Sequence, residues 1–361
     1  MGNWLAWLFP GQGAQCVGMG IEAASVFSEA RLIFEEADDI LGEPLYQLVR
    51  EGPAEKLTWT VHAQPAILTA SYALAVALLR RLPKPPSWLA GHSLGEYTAL
   101  VVARSLTFAD ALRIVRARGA FMDEAVPSGL GSMSAILGLS RNKIIALCEA
   151  VSREGYVVEV ANYNSPTQIV ISGHAAAVAA TGERALVEGA KRVVPLPVSG
   201  PFHTTLMRES CRRLADFVRG VRVSSAVIPV VSNVTGKPMR GARTIQDYMV
   251  RQVASPVLWE QSMRYLLQRG VRCFTEIGPQ SILLPLIRRL DKGVTVYPVT
   301  DSTTLLQTAD ALYDPLRKEE MMQRTITQSK NEQKRQAVFD TISGAWKEDR
   351  GKEGKKRGGN P

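Results

Sequence analysis

Residues Gly91-His92-Ser93-Leu94-Gly95-Glu96-Tyr97 set a serine between two glycines, where the strand-like run Trp88-Leu89-Ala90 gives way to the apolar, helical run from Glu96 to Val102. A strand that turns this sharply into a helix is a nucleophile elbow. The glycines permit the tight turn, and the turn exposes the serine oxygen beside the N–H groups of a helix N-terminus. Ser93 is therefore the candidate nucleophile. A Gly-x-Ser-x-Gly stretch alone is commonplace in Gly/Ser loops, so the reading needs its strand-turn-helix context and a base.

The chain has four histidines: His62, His92, His174 and His203. His92 adjoins the serine and is expected to point elsewhere. His62 and His174 stand among turn-like or small residues without evident polar company. His203 follows the strand-like run Arg192 to Leu196 and a Gly-Pro break, in Pro197-Val198-Ser199-Gly200-Pro201-Phe202-His203-Thr204. By elimination it is the candidate base, since a serine hydroxyl is a weak nucleophile until a nearby imidazole takes its proton.

In the helical stretch Phe108 to Met122, residues Phe108, Ala111, Leu112, Val115, Gly119 and Met122 form one apolar stripe. Arg118 falls on the stripe's edge, while Arg113 and Arg116 point away. An arginine turned inward needs an anionic partner, either a buried carboxylate of the protein or the anion of a ligand. Gly11-Gln12-Gly13 reads by itself as a plain turn after a first strand at Trp4 to Phe9. No Gly-Lys-Ser/Thr ending follows to make it a phosphate loop.

Strands and helices alternate along most of the chain, which implies a parallel α/β sheet. Between 129 and 198 the order changes. Ser132–Leu137 reads as a strand, Arg141–Ser152 as a helix, and Val157–Val160 and Gln168–Ser172 as two strands about a turn at Asn162 to Thr167. Ala175–Gly189 follows as a helix and Arg192–Leu196 as a strand. This is a βαββαβ, ferredoxin-like unit. The expected organisation is an α/β-hydrolase-like large subdomain over 1–128 and 199–316 with the ferredoxin-like small subdomain 129–198 inserted. The active site is then expected in the cleft between them.

A chain of 361 residues with 46% hydrophobic content buries one large core or two modest ones. Its net charge of +9 is unevenly placed: from Arg317 onward 12 basic and 7 acidic residues give +5, leaving +4 for the rest. This tail, 317–361, is rich in Gln, Lys, Glu and Arg and reads as solvated and disordered, a solubilising or linker segment. A nucleic-acid role for it stays open, although a solubilising or linker role is the simpler reading. Cys16, Cys148, Cys211 and Cys273 are widely spaced and carry no metal-ligand spacing, so they read as reduced thiols, with no metal implied. The run Trp4 to Phe9 is too short for a signal peptide core or a membrane span, and the expected location is the cytoplasm.

Leu8-Phe9-Pro10-Gly11-Gln12-Gly13-Ala14-Gln15, the elbow, Arg118, Asn162-Tyr163-Asn164-Ser165-Pro166, Gly200-Pro201-Phe202-His203 and Gln252 together resemble the malonyl-CoA:acyl carrier protein transacylase family, in order, over about residues 4 to 300. The Ser-Gly-Pro-Phe-His wording is most similar to free-standing acyltransferases that serve polyketide synthases lacking built-in ones. The resemblance implies transfer of malonyl from malonyl-CoA to the phosphopantetheine thiol of an acyl carrier protein, through a malonyl-serine intermediate, for polyketide or fatty-acid synthesis. It implies a Ser93–His203 dyad without a third acid, and an oxyanion hole from the backbone N–H groups of Gln12 and Leu94. A carbonyl near Gln252 would orient the histidine, although Gln252 alone reads as a helix-end polar residue. Arg118 would bind the malonyl carboxylate, and Phe202 would narrow the space beside C2 so that malonyl is preferred to methylmalonyl. No cofactor, nucleic acid or membrane is implied, and the protein is expected to act as a monomer. The alternatives are an editing hydrolase that strips acyl groups from carrier proteins, disfavoured by Arg118, and a carrier-docking scaffold, disfavoured by the intact serine and histidine.

Overall fold

Leu5 to Phe9 is apolar and buried at every position, as a strand covered on both faces must be. In the computed structural model, which describes residues 4–127, 129–152, 156–198, 200–315 and 317, it is the first of ten strands. These are β1 (Leu5–Phe9), β2 (Trp88–Gly91), β3 (Gly131–Leu137), β4 (Val158–Ser165), β5 (Gln168–His174), β6 (Arg192–Pro195), β7 (Val230–Val231), β8 (Pro238–Met239), β9 (Cys273–Ile277) and β10 (Thr295–Val299). Six of them form one sheet in the order β10-β9-β1-β2-β7-β8, parallel except for the edge strand β8. The other four form an antiparallel sheet, β4-β5-β3-β6. With helices Arg141–Ser152 and Ala175–Val187 between its strands, this is the ferredoxin-like order expected of a βαββαβ unit.

Each sheet has its own buried cluster. Ala6, Leu8, Trp259, Phe274 and Ile287 pack on the parallel sheet, and Ile136, Ile144, Val158, Ile171 and Val178 on the antiparallel one. Among the described residues both sheets lie within one compact unit, within 4–81 and 85–309, while Leu82–Lys84 groups with residues 310–315. Of the tail, only Arg317 lies among the described residues.

The expected turn over Asn162 to Thr167 is replaced by strand. β4 continues through Ser165, with register shifts between Val160 and Asn162 and between Tyr163 and Ser165. The segment stays extended because its other edge is also paired: Tyr163 donates to the Val257 carbonyl at 2.9 Å and Val257 to that of Ala161 at 2.8 Å. With backbone groups satisfied on both sides, the turn preference of Asn and Ser is overridden. Pro166, which has no N–H, limits the turn to itself and Thr167.

Among the described residues, one helix, Thr60–Leu79, is long and apolar enough to cross a membrane, and 83% of its apolar window is buried inside the fold. It is a core helix beside helix Phe108–Glu124. Thr107 starts the latter by accepting a hydrogen bond from the Asp110 N–H at 3.0 Å. Its expected apolar stripe is buried throughout, together with Ile114 and Arg118.

Candidate active site

The elbow forms where β2 meets helix Gly95–Val102. Ser93 has φ of 50°, a left-handed conformation that a non-glycine residue adopts only when its surroundings impose it. The flanking glycines have no alternative. A Cβ on Gly91 would stand 1.9 Å from the Gly95 carbonyl carbon, and one on Gly95 would stand 2.0 Å from the Phe9 carbonyl oxygen. The loop after β1 approaches as closely, since a Cβ on Gly11 would meet the His92 carbonyl oxygen at 2.4 Å. Gln12 and Leu94 both line the cavity that holds Ser93. Neither of their backbone N–H groups makes a hydrogen bond among the described residues, which suits two donors to a developing oxyanion.

His203 also sits at positive φ, 61°. Its Nδ1 lies 2.9 Å from the Gln252 carbonyl oxygen and 3.2 Å from that of Ser255. Both are acceptors, so Nδ1 carries the proton and Nε2 presents its lone pair to the Ser93 hydroxyl, which donates to it across 2.7 Å. The orienting group at Gln252 is thus its own carbonyl. Burial first, and then the Arg118 charge, push the His203 imidazole down to about 3, against the raising effect of the two carbonyls. It is a neutral base at physiological pH.

Arg118 is 1% exposed. It donates through Nη1 to Gln64 Oε1 at 2.8 Å, and through Nη2 to Gln252 Oε1 at 3.0 Å and Ser93 Oγ at 3.1 Å. All these partners are neutral, and among the described residues no carboxylate lies within ion-pair distance of it. The acid closest in effect is Glu96, which burial pushes up to about 8 and so keeps largely protonated at pH 7. A buried guanidinium without a counter-ion, touching the nucleophile, is a ready receptor for an anion.

Phe202, 4% exposed, lines the same cavity of about 540 Å³. Gly200 makes room for it: a Cβ there would come within 2.6 Å of the Phe202 ring. The remaining wall is mostly apolar, with Met122, Met133, Val170 and Leu283. Among the described residues no group of three or more His, Cys, Asp or Glu side chains is placed to hold a metal, and all four cysteines are free thiols.

Two readings of the histidines need correction. His62 does have polar company, accepting at Nδ1 from Arg116 at 3.0 Å. Arg116 also reaches the Val61 carbonyl and Glu43, so it lies half-buried against helix Thr60–Leu79 rather than free in solvent. His174 Nδ1 accepts from the Val157 N–H at 2.9 Å. Both are structural contacts. His92 points away from the serine as expected, and its Nε2 meets Asn164 Oδ1 at 2.8 Å. Sequence reasoning missed Gln64, Asn164, Glu96 and Asn233. Gln64 lies one turn into an apolar helix, and a polar residue on such a buried face is the signal that could have found it.

Residues 6–334 match the acyl transferase domain family. The chain is 43% identical over 304 residues to a malonyl CoA-acyl carrier protein transacylase of Bacillus subtilis (strain 168), covering 83% of this chain and 95% of the relative. It is 42% identical over 300 residues to that of Escherichia coli (strain K12), covering 83% and 97%. The solved malonyl CoA-acyl carrier protein transacylase of Coxiella burnetii superposes with a TM-score of 0.84 at 38% identity, covering 86% of this chain and 98% of that one. A malonyl-transacylase solved in complex with its type II PKS acyl carrier protein superposes at 0.83 with 39% identity, covering 85% and 99%.

Proposed function

Because the chain belongs to the acyl transferase domain family, we propose that it is a malonyl transferase. It moves the malonyl group of malonyl-CoA to the phosphopantetheine thiol of an acyl carrier protein and so supplies extender units for polyketide or fatty-acid synthesis. The observation that carries this reading is the meeting at one oxygen, Ser93 Oγ, of a neutral imidazole at 2.7 Å and a buried, carboxylate-free guanidinium at 3.1 Å. The first makes a nucleophile, and the second selects an acyl group that bears an anion.

In the first half-reaction His203 Nε2 takes the Ser93 proton as Oγ attacks the thioester carbon. The charge that develops on the thioester oxygen falls between the Gln12 and Leu94 N–H groups, each worth roughly 3–4 kcal/mol of barrier. The C–S bond then breaks and His203 returns the proton to the CoA sulfur. In the second half-reaction the carrier thiol gives its proton to His203 and attacks the malonyl-serine ester, and Ser93 recovers its hydrogen. Arg118 holds the malonyl carboxylate throughout, and Phe202 crowds the C2 position. The protein's own residues supply every group these steps require.

Hydrolytic editing is the weaker reading, because a site for neutral acyl chains has no use for a buried, unpaired arginine. The setting proposed for the reaction is the cytoplasm, where CoA thioesters and carrier proteins meet. Mass spectrometry of a holo carrier protein incubated with the enzyme and a mixture of acyl-CoAs tests the proposal. Malonylated carrier is the expected product, and release of free acids faster than loading would overturn it.

A further inference from the structure

Asn233 stands two residues beyond β7, fully buried, and every polar group it has is committed. Its side-chain oxygen accepts from the Ser93 backbone N–H at 2.7 Å, and its side-chain nitrogen donates to the Gly91 carbonyl at 2.7 Å. One amide thus spans the elbow from the end of β2 to the nucleophile. Its backbone N–H donates to Glu96 Oε2 at 2.6 Å, and its carbonyl accepts from Leu258 at 2.9 Å. Glu96 is itself fully buried in the first turn of the helix that the elbow opens, and its Oε1 has no hydrogen-bond partner among the described residues.

The arrangement has a chemical consequence. Ser93 at φ 50° is strained, and with its N–H tied to Asn233 the serine cannot relax toward the right-handed region without breaking a partly buried hydrogen bond. Its N–H is also taken up by Asn233, which leaves the adjacent Leu94 N–H as the elbow's donor to the oxyanion. We propose that Asn233 and Glu96 are positioning residues of the acyl transfer. Asn233 clamps the elbow, and Glu96 holds Asn233 from the helix side, so that Ser93 Oγ and the Leu94 N–H keep their reacting geometry. Glu96 needs only an acceptor oxygen for this task, and burial, which holds its carboxyl protonated, fits that role.

The proposal rests on the serine-acylation reading above, and the test separates the two. Full-length wild type, N233A, E96A and E96Q are compared by the rate of malonyl-CoA self-acylation, followed by intact mass, and by the labelling rate of Ser93 with a fluorophosphonate. N233A and E96A are expected to lower both rates on the order of 100-fold per folded molecule, as a displaced nucleophile does. Their KM for malonyl-CoA should be retained, since Arg118 and the cavity wall are untouched. E96Q keeps an acceptor oxygen and should recover most of the rate. If N233A does not fold, the contrast between E96A and E96Q decides alone. Wild-type rates in N233A and E96A, a loss confined to KM, or E96Q as slow as E96A would each overturn the proposal. Wild type that takes no malonyl, yet is labelled by the fluorophosphonate at a rate that depends on Glu96 and Asn233, would overturn the substrate reading and support the positioning one.

Discussion

Arg118 donates to the hydroxyl oxygen of Ser93 across 3.1 Å, so the residue proposed to read the substrate's charge also touches the atom that attacks it. Selection and nucleophile are joined in one hydrogen-bonded group, with Gln252 accepting from Arg118 through its side chain and from His203 through its carbonyl. Its side-chain nitrogen donates to the Ser93 carbonyl at 3.0 Å.

Arg118→Ala should therefore lose malonyl transfer by more than acetyl transfer, since only malonyl offers an anion. A charge-assisted hydrogen bond in a buried site is worth about 1.5–3 kcal/mol, or roughly tenfold to a hundredfold in relative kcat/KM. Parallel assays with malonyl-CoA and acetyl-CoA on a variant shown to be folded check this. Equal losses on the two substrates would reduce Arg118 to a structural role.

Brief exposure to malonyl-CoA should add one malonyl group at Ser93, and Ser93→Ala should take none. His203→Ala should keep its fold and acylate orders of magnitude more slowly, because the hydroxyl then has no acceptor for its proton. Peptide mapping of the adduct is the measurement, and a label on any other residue sinks the mechanism.

The parts of the site that were legible in the sequence are those whose chemistry shows locally. The Gly-x-Ser-x-Gly turn announced Ser93, the scarcity of histidines isolated His203, and an apolar stripe gave Arg118 an inward face. The residues that brace them were hidden. Asn233 lies 140 residues from Ser93, and Glu96 lies 137 from Asn233. Nothing local separates a buried clamp from an exposed loop asparagine, or a buried glutamic acid from a helix-start one. The same blindness hid the pairing of Arg116 with His62, which are 54 apart. It also turned the Asn162–Ser165 strand into an expected turn, because its second hydrogen-bonding edge is supplied by Val257. The order of the elements was readable; what the long-range partners impose on them was not.

Phe202 and Gly200 give a prediction about selectivity. The ring occupies the space that a Cβ on Gly200 would enter at 2.6 Å, so Gly200→Ala must push the ring into the cavity or out of its packing. Phe202→Leu instead opens the wall beside the proposed C2 position. The malonyl over methylmalonyl preference of Phe202→Leu should fall by about 1–3 kcal/mol, the worth of one methyl in a fitted pocket, or roughly tenfold to two-hundredfold. Competition of the two CoA thioesters for one carrier protein measures it, and an unchanged ratio would mean that Phe202 only packs.

The last prediction concerns pH. The reactive form of His203 is the neutral one, and burial followed by the Arg118 charge depresses its pKa from 6.5 to about 3. Self-acylation should accordingly stay level from pH 7 to pH 5, where an imidazole of ordinary pKa would already have lost about thirtyfold of its base form. Removing the guanidinium takes away the second depressing cause, so the acid limb of Arg118→Ala should move to higher pH. Stability follows with a sign of its own. The unfolded chain binds the His203 proton first, so this group's contribution is complete above 6.5 and drains as pH falls toward 3. Glu96 behaves oppositely. Its folded value is raised from 4.5 to about 8, so its contribution is complete below 4.5 and is lost as pH rises toward 8. Glu96→Gln cannot ionise, and its Tm relative to wild type should therefore rise between pH 5 and pH 9. A difference in Tm that does not change over that range would show that Glu96 is ionised in the folded protein across all of it, paired with Arg118 rather than protonated beside it.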